Sequence, residues 1–184
     1  MIPILNSLYE IVKTIVFVLL AAFLIRYFLI QPFVVEGQSM EPNFHNNEYL
    51  VVNKLSYRIG EPKRGDIIIF QAPSAPQFDY IKRVIALPGE TVKISNNKIY
   101  INNKPIDEKY LDGSEKTLIN QDPNMSLERI VGPNEYFVLG DNREHSSDSR
   151  EFGIVSKSLI VGKVFVSVYP WNYFGLIPHQ QYSL

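Results

Sequence analysis

The run Ile11–Ile30, IVKTIVFVLLAAFLIRYFLI, most constrains what this chain can become. It reads as a helix whose apolar core, Thr14 to Ile25, is bracketed by Lys13 and Arg26. Twenty helical residues reach about 30 Å, the thickness of a bilayer core. Long basic side chains near the helix ends can extend to the headgroups, and Tyr9 and Tyr27 suit the interfacial aromatic belt. Pro32 ends the helix. A cleavable leader would carry a small-x-small site, and the residues after Ile25, RYFLIQPFVV, have none. A buried core helix is seldom apolar on every face. The expectation is one N-terminal transmembrane helix in an anchor of residues 1–31, followed by a second unit over 32–184. Lys13 and Arg26 lie at opposite ends, so charge bias sets no orientation.

From Phe33 onward the pattern changes to short β-rich runs. These are Tyr49–Asn53, Asp66–Gln71, Tyr80–Leu87, Thr91–Ser95, Lys98–Ile101, Glu135–Leu139 and Ile160–Val168. Turn chemistry separates them: Arg64-Gly65-Asp66, Pro88-Gly89-Glu90, Asn96-Asn97, Asn102-Asn103 and Gly132-Pro133-Asn134. Asn96-Asn97 reads as a hairpin turn. The polar, poorly periodic stretch 107–128 reads as a surface loop excursion. The pattern predicts a mainly β, antiparallel, partly closed, barrel-like domain.

The formal net charge of -1 argues against a nucleic-acid partner. With no cysteine, disulfides, thiolate catalysis and Cys-based zinc sites are excluded. Three islands hold the candidate chemistry. The first is Glu36-Gly37-Gln38-Ser39-Met40-Glu41-Pro42. A serine beside glycine is ordinarily a turn residue, and this one fits neither common serine motif. The hydrolase elbow needs glycine where Glu41 stands, and the penicillin-recognising pattern needs lysine where Pro42 stands. The second island is Tyr80–Gly89. Strand alternation places Tyr80, Lys82, Val84 and Ala86 on one face, so Lys82 keeps apolar company. An ammonium deprived of water has a lowered pKa and can act as a general base. Arg83, on the opposite face, suits a structural ion pair. The third island is the polar block Gly140–Gly153, in which Asp141 and Asp148 can pair with Arg143 or Arg150.

Two alternatives use the same block. A metal site of Asp141, Glu144, His145 and Asp148 does not match the calcium-loop spacing and lacks a second nitrogen ligand. A Ser-His-Asp triad would have to use His45, His145 or His179, and His145 with Asp141 or Asp148 is the arrangement left open. A histidine triad would leave the lysine on the apolar face unexplained.

In order, these islands resemble the boxes of bacterial type I signal peptidases. Gly-x-Ser-Met-x-Pro stands at Gly37–Pro42, Arg-Gly-Asp-hydrophobic at Arg64–Phe70, and Lys-Arg-hydrophobic-Pro-Gly at Lys82–Gly89. Gly-Asp-Asn-Arg-x-x-Ser-x-Asp-Ser-Arg stands at Gly140–Arg150, continued by Phe152-Gly153. The resemblance implies a membrane-bound serine endopeptidase that removes signal peptides from exported preproteins after small-x-small, typically Ala-x-Ala, sites. Ser39 would be the nucleophile, Lys82 its general base and Ser146 the serine that orients the amine. The Ser39 backbone N–H would bind the oxyanion. Asp66, Arg83, Asp141, Arg143, Asp148 and Arg150 would be structural supports. Phe33, Val35, Met40, Tyr80 and Ile81 would line shallow substrate pockets. No metal or other cofactor is implied. The implied partners are signal peptides, membrane lipid and the export machinery, and the implied location is the plasma membrane with the catalytic domain outside. Some members carry a hydroxyl donor where this chain has Gly37. The stretch 107–128 has no counterpart in the boxes.

Overall fold

The structure, a computed structural model, describes residues 2–28, 30–111, 116–119, 122, 125–178 and 182; within these, the side chains of 2–6, 24, 25, 27 and 28 are not described. Helix α1 (Ile2–Phe28) leads into strands β1 (Ile30–Val34) and β2 (Tyr49–Asn53), a helical turn α2 (Ser56–Ile59), then β3 (Ile67–Ala72) and β4 (Ala75–Ala86). Next come β5 (Thr91–Ser95), β6 (Lys98–Ile101), β7 (Lys104–Pro105), β8 (Leu127–Ile130) and β9 (Glu135–Leu139). The chain finishes with α3 (Ser149–Phe152), β10 (Val155–Ser156), β11 (Ile160–Tyr169) and β12 (Gly175–Leu176).

One antiparallel sheet runs β1-β2-β11-β3-β4-β9-β10, with β12 beside β11, and a smaller one runs β7-β6-β5-β8. Strand β3 shows why the large sheet bends. Its run Ile67–Phe70 is buried on both faces. Ile67 and Ile69 point into one core with Leu50, Val52, Ile81 and Val164. Ile68 and Phe70 point into another with Val84, Tyr136 and Val138. Period-two alternation in a central strand thus serves two cores. The first core is wrapped by β1 through β4 and β11, so the sheet curls, but it does not close into a barrel. Of the expected partly closed barrel, the antiparallel, mainly β character holds and no barrel closes: among the described residues β1 keeps one edge unpaired, and β9 pairs with β4 only from Arg83 onward.

The small sheet packs its own core of Val92, Ile94, Ile99, Ile101 and Leu127 against Phe137 and Leu139 of β9. Its hairpin turns on Asn96 and Asn97, both with positive φ, which suits a two-residue turn.

The N-terminal expectation needs a correction as well. The helix stops at Phe28, and Pro32 lies within edge strand β1, where proline is tolerated. Among the described residues no helix is long and apolar enough to cross a membrane. The residues between Lys13 and Arg26 form a short apolar stretch, and the side chains of Leu24 and Ile25 fall outside the description. Within the described part, Ile15, Phe17, Leu19, Leu20 and Phe23 are all exposed.

Phe137 joins the two sheets, so Phe137→Ala is expected to destabilise the domain by about 3–5 kcal/mol. Urea unfolding should show this, with the exposed Ile130→Ala within about 0.5 kcal/mol of wild type.

Candidate active site

Ser39 lies in the turn between β1 and β2. Gly37 has φ +90°, a left-handed conformation that favours glycine. Its N–H donates to Asn46 Oδ1 at 2.8 Å. The turn is closed by Phe44 N–H donating to the Met40 carbonyl at 2.9 Å. Met40 and Phe44 are buried and pin the turn to the core. The local sequence therefore fixes where the Ser39 hydroxyl emerges. A side chain at position 37 would be strained, which fits the absence of a hydroxyl donor there. Among the described residues the Ser39 N–H donates no hydrogen bond.

Lys82 comes from β4, opposite Ile68 of β3. Its Nζ lies 2.8 Å from Ser39 Oγ and 2.9 Å from the Ile81 carbonyl oxygen, and the residue is 4% exposed. The Tyr80 ring centre stands 5.4 Å from the amine. Burial pulls the amine down to about 8, against Asp148 and Asp141, which favour the charged form, and with Arg150, which opposes it. At pH 7 about a tenth of such amines are neutral and able to take a proton.

The polar block is held by ion pairs that the sequence assigned only in part. Asp141, fully buried, takes a bidentate fork from Arg83 rather than from Arg143 or Arg150. It also accepts from Asn43 Nδ2 at 2.9 Å, tying β4 to the Ser39 turn. Asp148 pairs with Arg150 and caps α3 by accepting the Arg150 N–H. It also accepts the Gly140 N–H at 3.1 Å. Asn142 clasps the Ser39 turn: its N–H donates to the Ser39 carbonyl and its Nδ2 to the Gln38 carbonyl, both at 3.1 Å. Gly140 is required by crowding. A Cβ there would fall 2.1 Å from Ser146 Oγ and 2.4 Å from the Ser39 carbonyl oxygen. Ser146 Oγ itself is buried without a hydrogen-bond partner among the described residues, and it makes no bond to Lys82 here.

The other candidates separate. Asp66 accepts from Tyr57 Oη and the Lys63 N–H, each at 2.9 Å, and pairs with Lys163. It braces the start of β3 and is not bonded to the Ser39–Lys82 pair. Arg143 pairs with Glu108 and bonds Thr117 and Tyr110. The sequence missed these three partners, because nothing periodic marks residues 107–128. His45 stacks on Tyr173 with ring centres 4.3 Å apart, and the exposed His145 bonds only through its backbone, to Asn142. His179 lies outside the described residues. Ser39 thus meets a lysine and no described histidine. Among the described residues no group of three or more His, Cys, Asp or Glu is placed to hold a metal ion.

A groove of about 470 Å³ opens over the pair, walled by Pro32–Val34 and Glu36 on one side and Gln77–Lys82 on the other, with Ser39 and Ser147. Of the five expected pocket residues, Phe33, Tyr80 and Ile81 line it. Val35 and Met40 are core residues and do not line it. Gln77, Phe78 and Ser147 were not foreseen, since wall membership depends on how far the sheet curls.

The family model described as "Signal peptidase, peptidase S26" matches residues 8–169. Signal peptidase I S of Bacillus subtilis (strain 168) is 42% identical over 173 residues, covering 91% of this chain and 92% of that protein. Signal peptidase IB of Staphylococcus aureus (strain Mu50 / ATCC 700699) is 34% identical over 166 residues, covering 83% and 84%. A crystal structure of a signal peptidase I from Enterococcus faecalis V583 is 35% identical, covers 57% of this chain and 97% of its own, and gives a TM-score of 0.49.

The buried amine has a stability signature. Free lysine titrates near 10.4 and Lys82 at about 8, so unfolding takes up a proton between those values and wild-type stability rises with pH across that window. Lys82→Met removes this dependence. Its stability gain over wild type is expected to be largest below pH 8 and to shrink towards pH 10, as urea unfolding at pH 7 and pH 9.5 will show.

Proposed function

The chain belongs to the signal peptidase family, peptidase S26, and on that premise we propose that it cleaves exported preproteins after small-x-small sites with a Ser39/Lys82 dyad. The observation that carries this reading is the 2.8 Å contact between a desolvated lysine amine and a serine hydroxyl at the floor of an open groove. The preprotein lies extended in the groove and pairs with the unpaired edges of β1 and of β4 before Arg83, a strand-addition mode. Neutral Lys82 removes the Ser39 proton as Oγ bonds to the scissile carbonyl carbon. The Ser39 N–H stabilises the oxyanion. The carbon–nitrogen bond then breaks, and the leaving amine takes the proton from the Lys82 ammonium. Water, deprotonated by the same amine, attacks the acyl-enzyme, and Ser39 Oγ leaves with that proton. Ser146, buried beside the Ser39 carbonyl, turns its hydroxyl to the amine and orients it. Asp141, Asp148 and their arginines hold the block that carries it.

The membrane is where this reading places the work. Helix α1 exposes apolar side chains around its described length. A second apolar surface lies on β2, β11 and the turn after it. Exposed Tyr49, Tyr169, Trp171 and Phe174 form a chain of rings with centres 5.8–6.3 Å apart, beside exposed Phe165 and Leu176. Aromatic side chains of this kind favour the headgroup layer. Helix and ring surface together hold the groove at the outer leaflet, where a signal peptide emerges from the export machinery. Tethering both partners to one plane raises their effective concentration.

A fluorogenic peptide with an Ala-x-Ala site, assayed in detergent, tests the reading. Wild type should cleave after the second alanine, Ser39→Ala and Lys82→Ala should lose at least about 10³-fold in kcat/KM, and Ser146→Ala should lose less. Lys82→Arg should be as inactive as Lys82→Ala, because guanidinium stays protonated. The acid limb of kcat/KM should bend near pH 8 and fall tenfold per unit below it. Near-wild-type turnover in Lys82→Ala would remove lysine from the base role, and a limb set by His145 would replace it with a triad.

A further inference from the structure

Among the described residues, none of the stretch between β7 and β8 lines the groove, and the dyad chemistry makes no use of it. Yet Glu108, Tyr110, Thr117 and Leu118 reach Arg83, Arg143 and Arg150. Arg143 is 2% exposed and spends all its donors at once. Its Nε donates to the Gly140 carbonyl at 3.0 Å. One terminal nitrogen donates to Glu108 at 2.8 Å and to Thr117 Oγ1 at 2.6 Å. The other donates to Glu108 and, at 2.8 Å, to Tyr110 Oη. The Tyr110 ring centre lies 3.9 Å from the Arg83 guanidinium carbon, and its carbonyl accepts from Asn43 Nδ2 at 3.1 Å. The Leu118 carbonyl accepts from Arg150 at 3.0 Å.

We infer that this strap is a positioning element for the reaction, with Glu108 and Tyr110 as the residues that set the distance between Ser39 Oγ and the Lys82 amine. The inference rests on the dyad reading above. Two mechanical routes run from the strap to the pair. Glu108 and Tyr110 fix Arg143, Arg143 fixes the Gly140 carbonyl, and two residues on Asn142 grips the Ser39 turn through its N–H and side-chain amide. Independently, Tyr110 covers Arg83, the neighbour of Lys82 on β4, while its carbonyl holds Asn43 of the Ser39 turn. The strap therefore touches both carriers of the dyad.

The arrangement has the chemistry of a rigid brace. A planar guanidinium held by a carboxylate fork, a hydroxyl and a phenol admits little movement. Arg143 is itself buried, so losing the Glu108 carboxylate leaves a poorly solvated cation that must shift to find a partner. Shifts of about 1 Å at reacting groups can cost about 10²-fold in rate. Groups that hold the catalyst but never touch substrate act on kcat and leave KM alone.

The test compares full-length wild type with Glu108→Gln, Tyr110→Phe and, as a control on the same strap, Lys109→Ala, whose side chain is exposed. Steady-state cleavage of the Ala-x-Ala peptide and thermal unfolding are measured for each. The expected result is a kcat at least ten-fold lower in Glu108→Gln and several-fold lower in Tyr110→Phe, with KM within two-fold and the acid limb still near pH 8. Lys109→Ala should match wild type. Tyr110→Phe keeps the ring on Arg83 and loses only the phenol, so it decides the matter if Glu108→Gln does not fold. Folded variants with wild-type kcat would overturn the inference, as would a kcat loss matched by an equal rise in KM. Ser39→Ala and Lys82→Ala are run alongside. If those two stay active, the dyad reading has failed; if they are inactive while the strap variants turn over normally, only the strap inference has.

Discussion

A lysine amine kept away from water beside a serine hydroxyl is the arrangement on which the rest of this molecule depends. In water the two groups would have no reason to meet, and the amine would hold its proton firmly. The curl of the large sheet removes the water. It brings β4 under the turn that follows β1 and closes apolar cores around both. The amine then sits at about 8 because burial outweighs the carboxylates that favour its charge. Burial thus makes the site costly to fold and useful to chemistry by the same physical effect.

Charge near that amine has to be organised. Asp141 and Asp148 lie close enough to strengthen its grip on the proton, and each is matched by an arginine in fork geometry. Unmatched, either carboxylate would push the amine towards permanent protonation. Removing one partner of such a buried pair typically costs about 3–5 kcal/mol, so the pairs also lock the block in place. Arg143 lies in the same layer with its charge met by Glu108. The layer behind the groove is therefore ionic but paired, and the groove in front is walled by β1 and by β4 before Arg83.

Much of the fold was legible. The runs Tyr49–Asn53, Thr91–Ser95, Lys98–Ile101 and Glu135–Leu139 coincide with strands β2, β5, β6 and β9, because β-branched alternation and Asn-rich turns are local signals. The start of strand β1 was not seen: Ile30–Pro32 continues the apolar text of the helix and contains a proline, and only its pairing with β2 marks it as strand. Strand β8 was hidden in a polar stretch for the same reason, since its partner β5 supplies the order. Val35 and Met40 were expected at the surface of the groove, but the turn sends them inwards as the anchors that hold Ser39.

The sequence by itself determined the chemical inventory and its local settings. It placed a serine in a glycine turn, a lysine on the apolar face of a strand and a dense block of acids, arginines and hydroxyls after β9. Composition excluded thiol chemistry, and periodicity set the strand class. Only the tertiary structure decided which charges pair, which edges stay open, and that Glu108 and Tyr110 belong to the site. Strand alternation and turn propensity act over a few residues and can be read along the chain. Ion pairing and burial act between residues as far apart as Arg83 and Asp141, and they exist only once the sheet has curled and water has gone.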